Sequence, residues 1–209
     1  GAIYVQWITS ATTDITISGC TFRKTYAYTD SNSIRLDCCY SNKIYINNNK
    51  FIDCCRAAGS YKTFAIFLDV QRLYFNFNQI IFSKETESCG CVLLSTIIEH
   101  SFNGNLFQNA RYSNSYAAGI HFNNFYSYSS LKIQNNTFKQ IQGNNGGRCI
   151  YIDTIANSNS NAVVFSNNTF EDCPEGGNLI RFSFLNTISQ YTIESCRFIR
   201  NKVNNNCVS

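Results

Sequence analysis

Two carboxylates and a guanidinium are the residues of this chain best placed to do chemistry. Asp37 and Asp69 fall at equivalent places in successive copies of a repeat, with Arg35 two residues before the first. Two carboxylates held that close would raise one pKa or share a Ca²⁺ ion, and either could support acid/base chemistry. A hydrolase needs a positioned acid and base, and a lyase needs more acids with Arg or Lys beside them. The chain has only 13 Asp and Glu in 209 residues, with this one adjacent pair. Asp37, Asp69 and Arg35 therefore stand as weak candidates, and no residue is assigned as catalytic.

The same strand-like stretches carry two columns of outward residues. One reads Tyr4, Arg35, Phe67, Leu93, His121, Tyr151, Arg181 and the other Gln6, Asp37, Asp69, Ser95, Asn123, Asp153, Ser183. Phe67, Leu93, His121 and Tyr151 form a candidate binding stripe, because exposed apolar strips mark interfaces. Asn135-Asn-Thr137 and Asn167-Asn-Thr169 are N-glycosylation sequons at identical places in neighbouring copies. An Asn-rich repeat ending in Asn-Thr-Phe also generates sequons by accident, so both readings stay open.

Eleven cysteines leave at least one unpaired within this stretch. Cys91, Cys149 and Cys207 precede equivalent strands, while Cys54 and Cys173 each sit three residues after a Phe. Same-column cysteines lie mostly two coils apart, about 9–10 Å at the strand spacing, which is beyond disulfide reach. Pairing across columns, such as Cys54 or Cys55 with Cys89, remains open. Zinc needs Cys and His at short spacing, and neither His100 nor His121 has such a neighbour. No metal or cofactor is expected.

The elements that position these residues are visible as an internal repeat. Phe22, Phe51, Phe82, Phe107, Phe138, Phe170 and Phe198 recur at spacings of 29, 31, 25, 31, 32 and 28. Five residues before each stands Ile17, Ile46, Phe77, Phe102, Ile133, Phe165 or Ile193. Alternating apolar pairs interleave with them, from Ile3/Val5 through Ile34/Leu36, Ile66/Leu68, Val92/Leu94, Ile120/Phe122 and Ile150/Ile152 to Ile180/Phe182. Period-two alternation predicts strands with one buried face. No copy carries apolar residues at helical spacing over two turns, and Asn at this density, 28 of 209, is costly inside helices.

These observations predict an all-β fold, a right-handed parallel β-helix of about seven coils, uncapped at both ends. At a spacing of about 4.8 Å per coil it spans roughly 34 Å. The position three after the first apolar residue reads Cys20, Asn49, Ile80, Asn105, Asn136, Asn168, Cys196. Inward asparagines in such a column pass amide hydrogen bonds from coil to coil, and the two cysteines fill the slot as small buried residues. The Phe column beside it predicts an aromatic stack.

Copies such as Ser166-Asn-Asn-Thr-Phe-Glu-Asp-Cys173, Gln134-Asn-Asn-Thr-Phe138 and Phe198-Ile-Arg-Asn201 resemble the repeats of polymorphic outer-membrane proteins. So does Gly1-Ala-Ile3, echoed at Ala118-Gly-Ile120. Similar repeats occur in large surface proteins of protozoan parasites, and the pattern looks broadly like the pectate-lyase-like β-helix superfamily. The chain departs from the outer-membrane pattern: one copy keeps the full Phe-x-x-Asn, and paired Gly survives only at Gly146-Gly147 and Gly176-Gly177. The resemblance implies a long surface rod used in adhesion, yet the fold hosts many functions.

Composition sets the outer limits. A net charge of +4 without a basic run argues against nucleic acid. Aromatics at 15% and charges at 14% exclude disorder, and no apolar stretch approaches the roughly 18–20 residues of a membrane span. No secretory leader opens this numbering, and both ends cut through a repeat, so further coils of its own chain are expected at each end. The expectation for residues 1–209 is one segment of a structural or adhesive rod, extracellular or at the cell surface, with protein or glycan partners. A carbohydrate-active or tailspike-like module and an intracellular fibre component are the alternatives.

Overall fold

The structure, a computed structural model, describes residues 2–6, 13–26, 31–39, 43–55, 64–83, 89–112, 117–143, 148–155, 161–174, 178–182 and 188–202. The expectations placed on Gly1, Gly146-Gly147, Gly176-Gly177, Ser183 and Cys207 lie outside these residues, as do the side chains of Cys38 and Cys39.

Apolar alternation broken by Asn- and Gly-bearing bends winds the chain into stacked coils. The first holds β1 (Ile3–Gln6), β2 (Ile15–Ser18) and β3 (Thr21–Arg23). The second holds β4 (Ser31–Cys39), β5 (Ile44–Asn47) and β6 (Lys50–Ile52). The third holds β7 (Phe64–Val70), β8 (Arg72–Asn76) and β9 (Gln79–Ile81). In the fourth and fifth the first two strands run together, as β10 (Gly90–Asn103) with β11 (Leu106–Gln108) and β12 (Arg111–Tyr112), and β13 (Ile120–Gln134) with β14 (Thr137–Lys139) and β15 (Gln142–Gly143). The sixth holds β16 (Ile150–Ile155), β17 (Asn161–Ser166) and β18 (Thr169–Glu171). The last holds β19 (Ile180–Phe182), β20 (Ile188–Glu194) and β21 (Arg197–Ile199).

Each strand pairs in parallel with its counterpart one coil away. One sheet runs β1-β4-β7-β10-β13-β16-β19, another β21-β18-β14-β11-β9-β6-β3. The fold is an all-β parallel solenoid of about five turns. That count differs slightly from the seven coils expected from the sequence. No helix among the described residues is long and apolar enough to cross a membrane.

Inside, equivalent residues stack in columns. Phe22 lies on Phe51 with ring centroids 4.8 Å apart, and Phe107, Phe138, Phe170 and Phe198 continue at 4.9, 5.1 and 5.1 Å, all within 9° of parallel. The third coil departs from the expected register. Ile80, not Phe82, pairs with Phe51 and Phe107, and Phe75, not Phe77, pairs with Ile46 and Phe102. Phe82 is buried one bend later, and the true anchor spacings are 29, 29, 27, 31, 32 and 28. A branched aliphatic side chain fills the aromatic slot there, because the column asks for apolar volume more than for a ring.

The asparagine column is the polar spine of the fold. It reads Asn49, Asn78, Asn105, Asn136, Asn168, all 0–2% exposed, so Asn78 replaces the expected Ile80. In each, Nδ2 donates to a carbonyl of the coil before: Asn49 to Ile17, Asn78 to Ile46, Asn105 to Phe75, Asn136 to Phe102 and Asn168 to Ile133, at 2.7–3.0 Å. Each Oδ1 accepts the backbone N–H of the column residue before it, from Cys20 N through Asn136 N, at 2.8–3.0 Å. The amides also chain to one another along the column. A bend that cannot use regular ladder bonds thereby satisfies its buried backbone groups. Cys20 and Cys196 end the spine, but Cys20 is exposed and Cys196 half-buried, since end coils lack a covering neighbour.

Candidate functional site

Two turn edges and one strand face carry the chemistry of the outer surface. The bend preceding each buried Asn holds a left-handed residue in every coil: Gly19, Asn48, Phe77, Gly104, Asn135, Asn167 and Ser195, with φ between 52° and 68°. Asn and Gly tolerate this region best, which explains part of the asparagine excess. A second edge repeats it at Lys24, Asp53, Asn109, Gln140, Asp172 and Arg200, with φ of 49–61°. Phe77 is the costly member of the first edge, a bulky residue in left-handed conformation with 57% of its surface exposed. Its ring lies over Gly104, where an added Cβ would come within 2.6 Å of it.

Both sequon asparagines sit on that first edge and are exposed. Asn135 Nδ2 reaches back toward the preceding coil and donates to Asn103 Oδ1 at 2.8 Å. Asn135 and Asn167 thus lie exposed at the same bend of successive coils, while the next residues, Asn136 and Asn168, point into the spine.

The strand face brings the first outward column together as read. Register runs Tyr4–Arg35–Phe67–Leu93–His121–Tyr151–Arg181 without a break. Its expected exposure is corrected. Tyr4 at the end is 56% exposed, but Leu93, His121 and Tyr151 retain 6, 0 and 8%. Stacked neighbours cover these side chains: His121 meets Tyr151 edge-on at 4.8 Å, and the Arg181 guanidinium lies 5.3 Å from the Tyr151 ring. Arg35 likewise spans Tyr4 and Phe67 at 5.6 and 5.3 Å. Leu93, His121 and Tyr151 thus belong to a packed column of aromatic and cation–π contacts, while Phe67 stays half-buried.

Asp37 and Asp69 directly follow the paired Leu36 and Leu68, where the register of the two strands becomes irregular. Pairing of β4 with β7 shifts after Leu36–Leu68 and resumes at Cys39–Val70, while Asp37 pairs with Gln6 and Asp69 with Ser95. The Asp37 carboxylate accepts from Arg35 Nη2 at 3.0 Å.

Several groups carried no clear signal in the sequence. A cleft of about 310 Å³ opens beside the second edge, lined by Asn109, Arg111, Gln140, Gln142, Asp172 and Pro174. Arg111 Nε donates to Gln142 Oε1 at 2.9 Å, and Arg200 clamps Asp172 through Nε and Nη2 at 2.7 and 2.9 Å, which lowers the Asp172 pKa. His100 is buried, its Nε2 bonded to the Val70 carbonyl at 2.9 Å, and burial pulls its pKa down to about 4.

The cysteines resolve into distinct environments. Cys55 and Cys89 form a disulfide across 34 residues, one of the cross-column pairings left open by the sequence. Cys54, Cys91, Cys149 and Cys173 are buried free thiols, and Cys149 Sγ lies 3.6 Å from Cys173 Sγ. Beside them Arg148 is wholly buried, and its Nη1 donates to the carbonyls of Cys173, Pro174 and Lys202. No group of three or more His, Cys, Asp or Glu suited to a metal occurs among the described residues.

No model of a known protein family, no curated protein and no solved structure matches the chain. The likeness to polymorphic outer-membrane and pectate-lyase-like proteins therefore rests on the repeat motifs and the solenoid alone.

Proposed function

We propose that this chain is a segment of a non-enzymatic β-helical rod belonging to a surface or secreted protein, which presents its turn edges and loops to protein partners or glycans. The observation that carries the reading is the pair of exposed sequon asparagines, Asn135 and Asn167, aligned on one turn edge of neighbouring coils. N-glycosylation takes accessible Asn-x-Ser/Thr sites on the surface of proteins that pass through a secretory pathway. The Cys55–Cys89 disulfide supports the same compartment, because disulfides persist where the environment oxidises. The polar chemistry of the interior serves the coil itself, which leaves loops and edges as the variable surface. On the strand face Asp37 is already paired with Arg35, which supports a structural reading of that carboxylate over acid/base chemistry.

A carbohydrate-active module is the second reading, favoured by the amide- and guanidinium-lined cleft between Arg111 and Asp172. Such groups suit hydroxyl recognition, and release of reducing ends from a polysaccharide panel would establish it over the rod. The rod itself is tested by treating intact producing cells with a membrane-impermeant amine reagent. Exposed Lys50, Lys132 and Lys202 are expected to be labelled before lysis. Labelling only after lysis would overturn the surface reading in favour of an intracellular assembly.

A further inference from the structure

We propose that Cys149 and Cys173 are a second disulfide site, an oxidisable dithiol that closes one coil of the solenoid into a covalent ring. Cys149 stands immediately before β16, and Cys173 follows β18 two residues after its end, so the two thiols mark the opening and closing of the same coil. Their sulfurs are 3.6 Å apart and both side chains are fully buried. A disulfide needs about 2.05 Å, so a closure of about 1.5 Å suffices, within reach of small side-chain rotations. Cys55–Cys89 instead ties the second coil to the start of the fourth.

The surroundings give the two sulfurs different roles. The Cys149–Cys173 contact lowers the Cys173 pKa, while burial first and then that same contact push Cys149 up. Arg148 fixes the Cys173 backbone through its carbonyl and adds positive charge nearby. Cys173 is therefore the attacking sulfur and Cys149 the resolving one.

The oxidant is an organic disulfide of the glutathione type. Cys173 thiolate attacks one of its sulfurs, its S–S bond breaks, and one thiol leaves with the proton lost by Cys173. Cys149 then gives its proton to the second leaving thiol and attacks Cys173 Sγ, forming the Cys149–Cys173 bond. Two protein thiols lose two electrons and one small disulfide becomes two thiols, so atoms and charge balance. Both sulfurs are buried, so exchange takes place while the coil is forming or locally open.

The test supplies the oxidant and so does not depend on where the protein resides. The purified chain is equilibrated in a glutathione buffer that fully oxidises Cys55–Cys89, then denatured in an alkylating reagent and digested with trypsin. Cleavage after Arg148 and Arg181 leaves both cysteines on one peptide. Alkylation at Cys149 and Cys173 is expected to fall by about tenfold or more relative to Cys20, with the peptide two hydrogens lighter. Cys149→Ser is expected to trap a mixed glutathione disulfide on Cys173, whereas Cys173→Ser leaves Cys149 a thiol. Full alkylation of both cysteines in the unmutated chain, with Cys55–Cys89 oxidised, would overturn the proposal whatever the variants do.

Discussion

Asn105→Ala removes the central link of the asparagine spine, and the structure sets the size of the loss. Asn105 Nδ2 donates to the Phe75 carbonyl at 2.8 Å and to Asn136 Oδ1 at 2.8 Å, and its Oδ1 accepts from Asn78 N at 2.8 Å. Alanine keeps the Asn105 backbone N–H, which still bonds Asn136 Oδ1. The neighbouring amides keep their other partners, since Asn78 Nδ2 still reaches the Ile46 carbonyl. Two backbone groups, the Phe75 carbonyl and the Asn78 N–H, lose a side-chain partner inside the column. At about 1–3 kcal/mol for each buried polar group so orphaned, the substitution costs about 2–6 kcal/mol. That is a large share of the roughly 5–15 kcal/mol that holds a domain together. Asn103→Ala is the control, because its Oδ1 accepts from the exposed Asn135 and surface losses stay within about 0.5 kcal/mol. Urea titrations followed by the β-sheet circular dichroism signal compare the two. Equal midpoints for Asn105→Ala and Asn103→Ala would refute the spine as a source of stability.

Two further perturbations probe separate parts of the account. Replacing Cys55 and Cys89 together by Ser opens a 34-residue closure, for which loop entropy gives about 3–4 kcal/mol. The urea midpoint is expected to fall accordingly, and an unchanged midpoint would count against the cross-link. His100 tests pH dependence: its folded pKa of about 4 lies below the ordinary 6.5, so the unfolded chain binds the extra proton between those values. The His100 contribution is fully present above about pH 6.5 and is lost as pH falls toward 4, by up to about 3 kcal/mol. His100→Gln is expected to flatten that part of the stability profile, and an unaltered slope would contradict the assignment.

Much of this architecture was legible because a solenoid repeats its constraints. Alternating apolar pairs gave the strand face in correct register from Tyr4 to Arg181, and Asn three residues after an apolar anchor marked the spine in four of its five places. The third coil misled because Phe75-Asn76-Phe77-Asn78 fits the pattern in two registers. Matching the Phe77–Phe82 spacing to other copies selected the register whose anchor is exposed on a left-handed bend. The true register keeps Asn at the spine and accepts Ile80 in the aromatic slot. The strand column was placed correctly but misjudged in exposure, because period-two alternation says which face a residue takes and not how closely its neighbours stack. The Cys149–Cys173 approach and the burial of Arg148 join segments 24 to 54 residues apart, which no local spacing encodes.

The most direct test of the surface-rod account is an unreduced peptide map of the native protein from the cells that make it. The account predicts glycan on Asn135 and Asn167, together with a Cys55–Cys89 cross-link. Bare asparagines at both sequons, with Cys55 and Cys89 recovered as thiols, would contradict it and move the protein to a reducing compartment inside the cell.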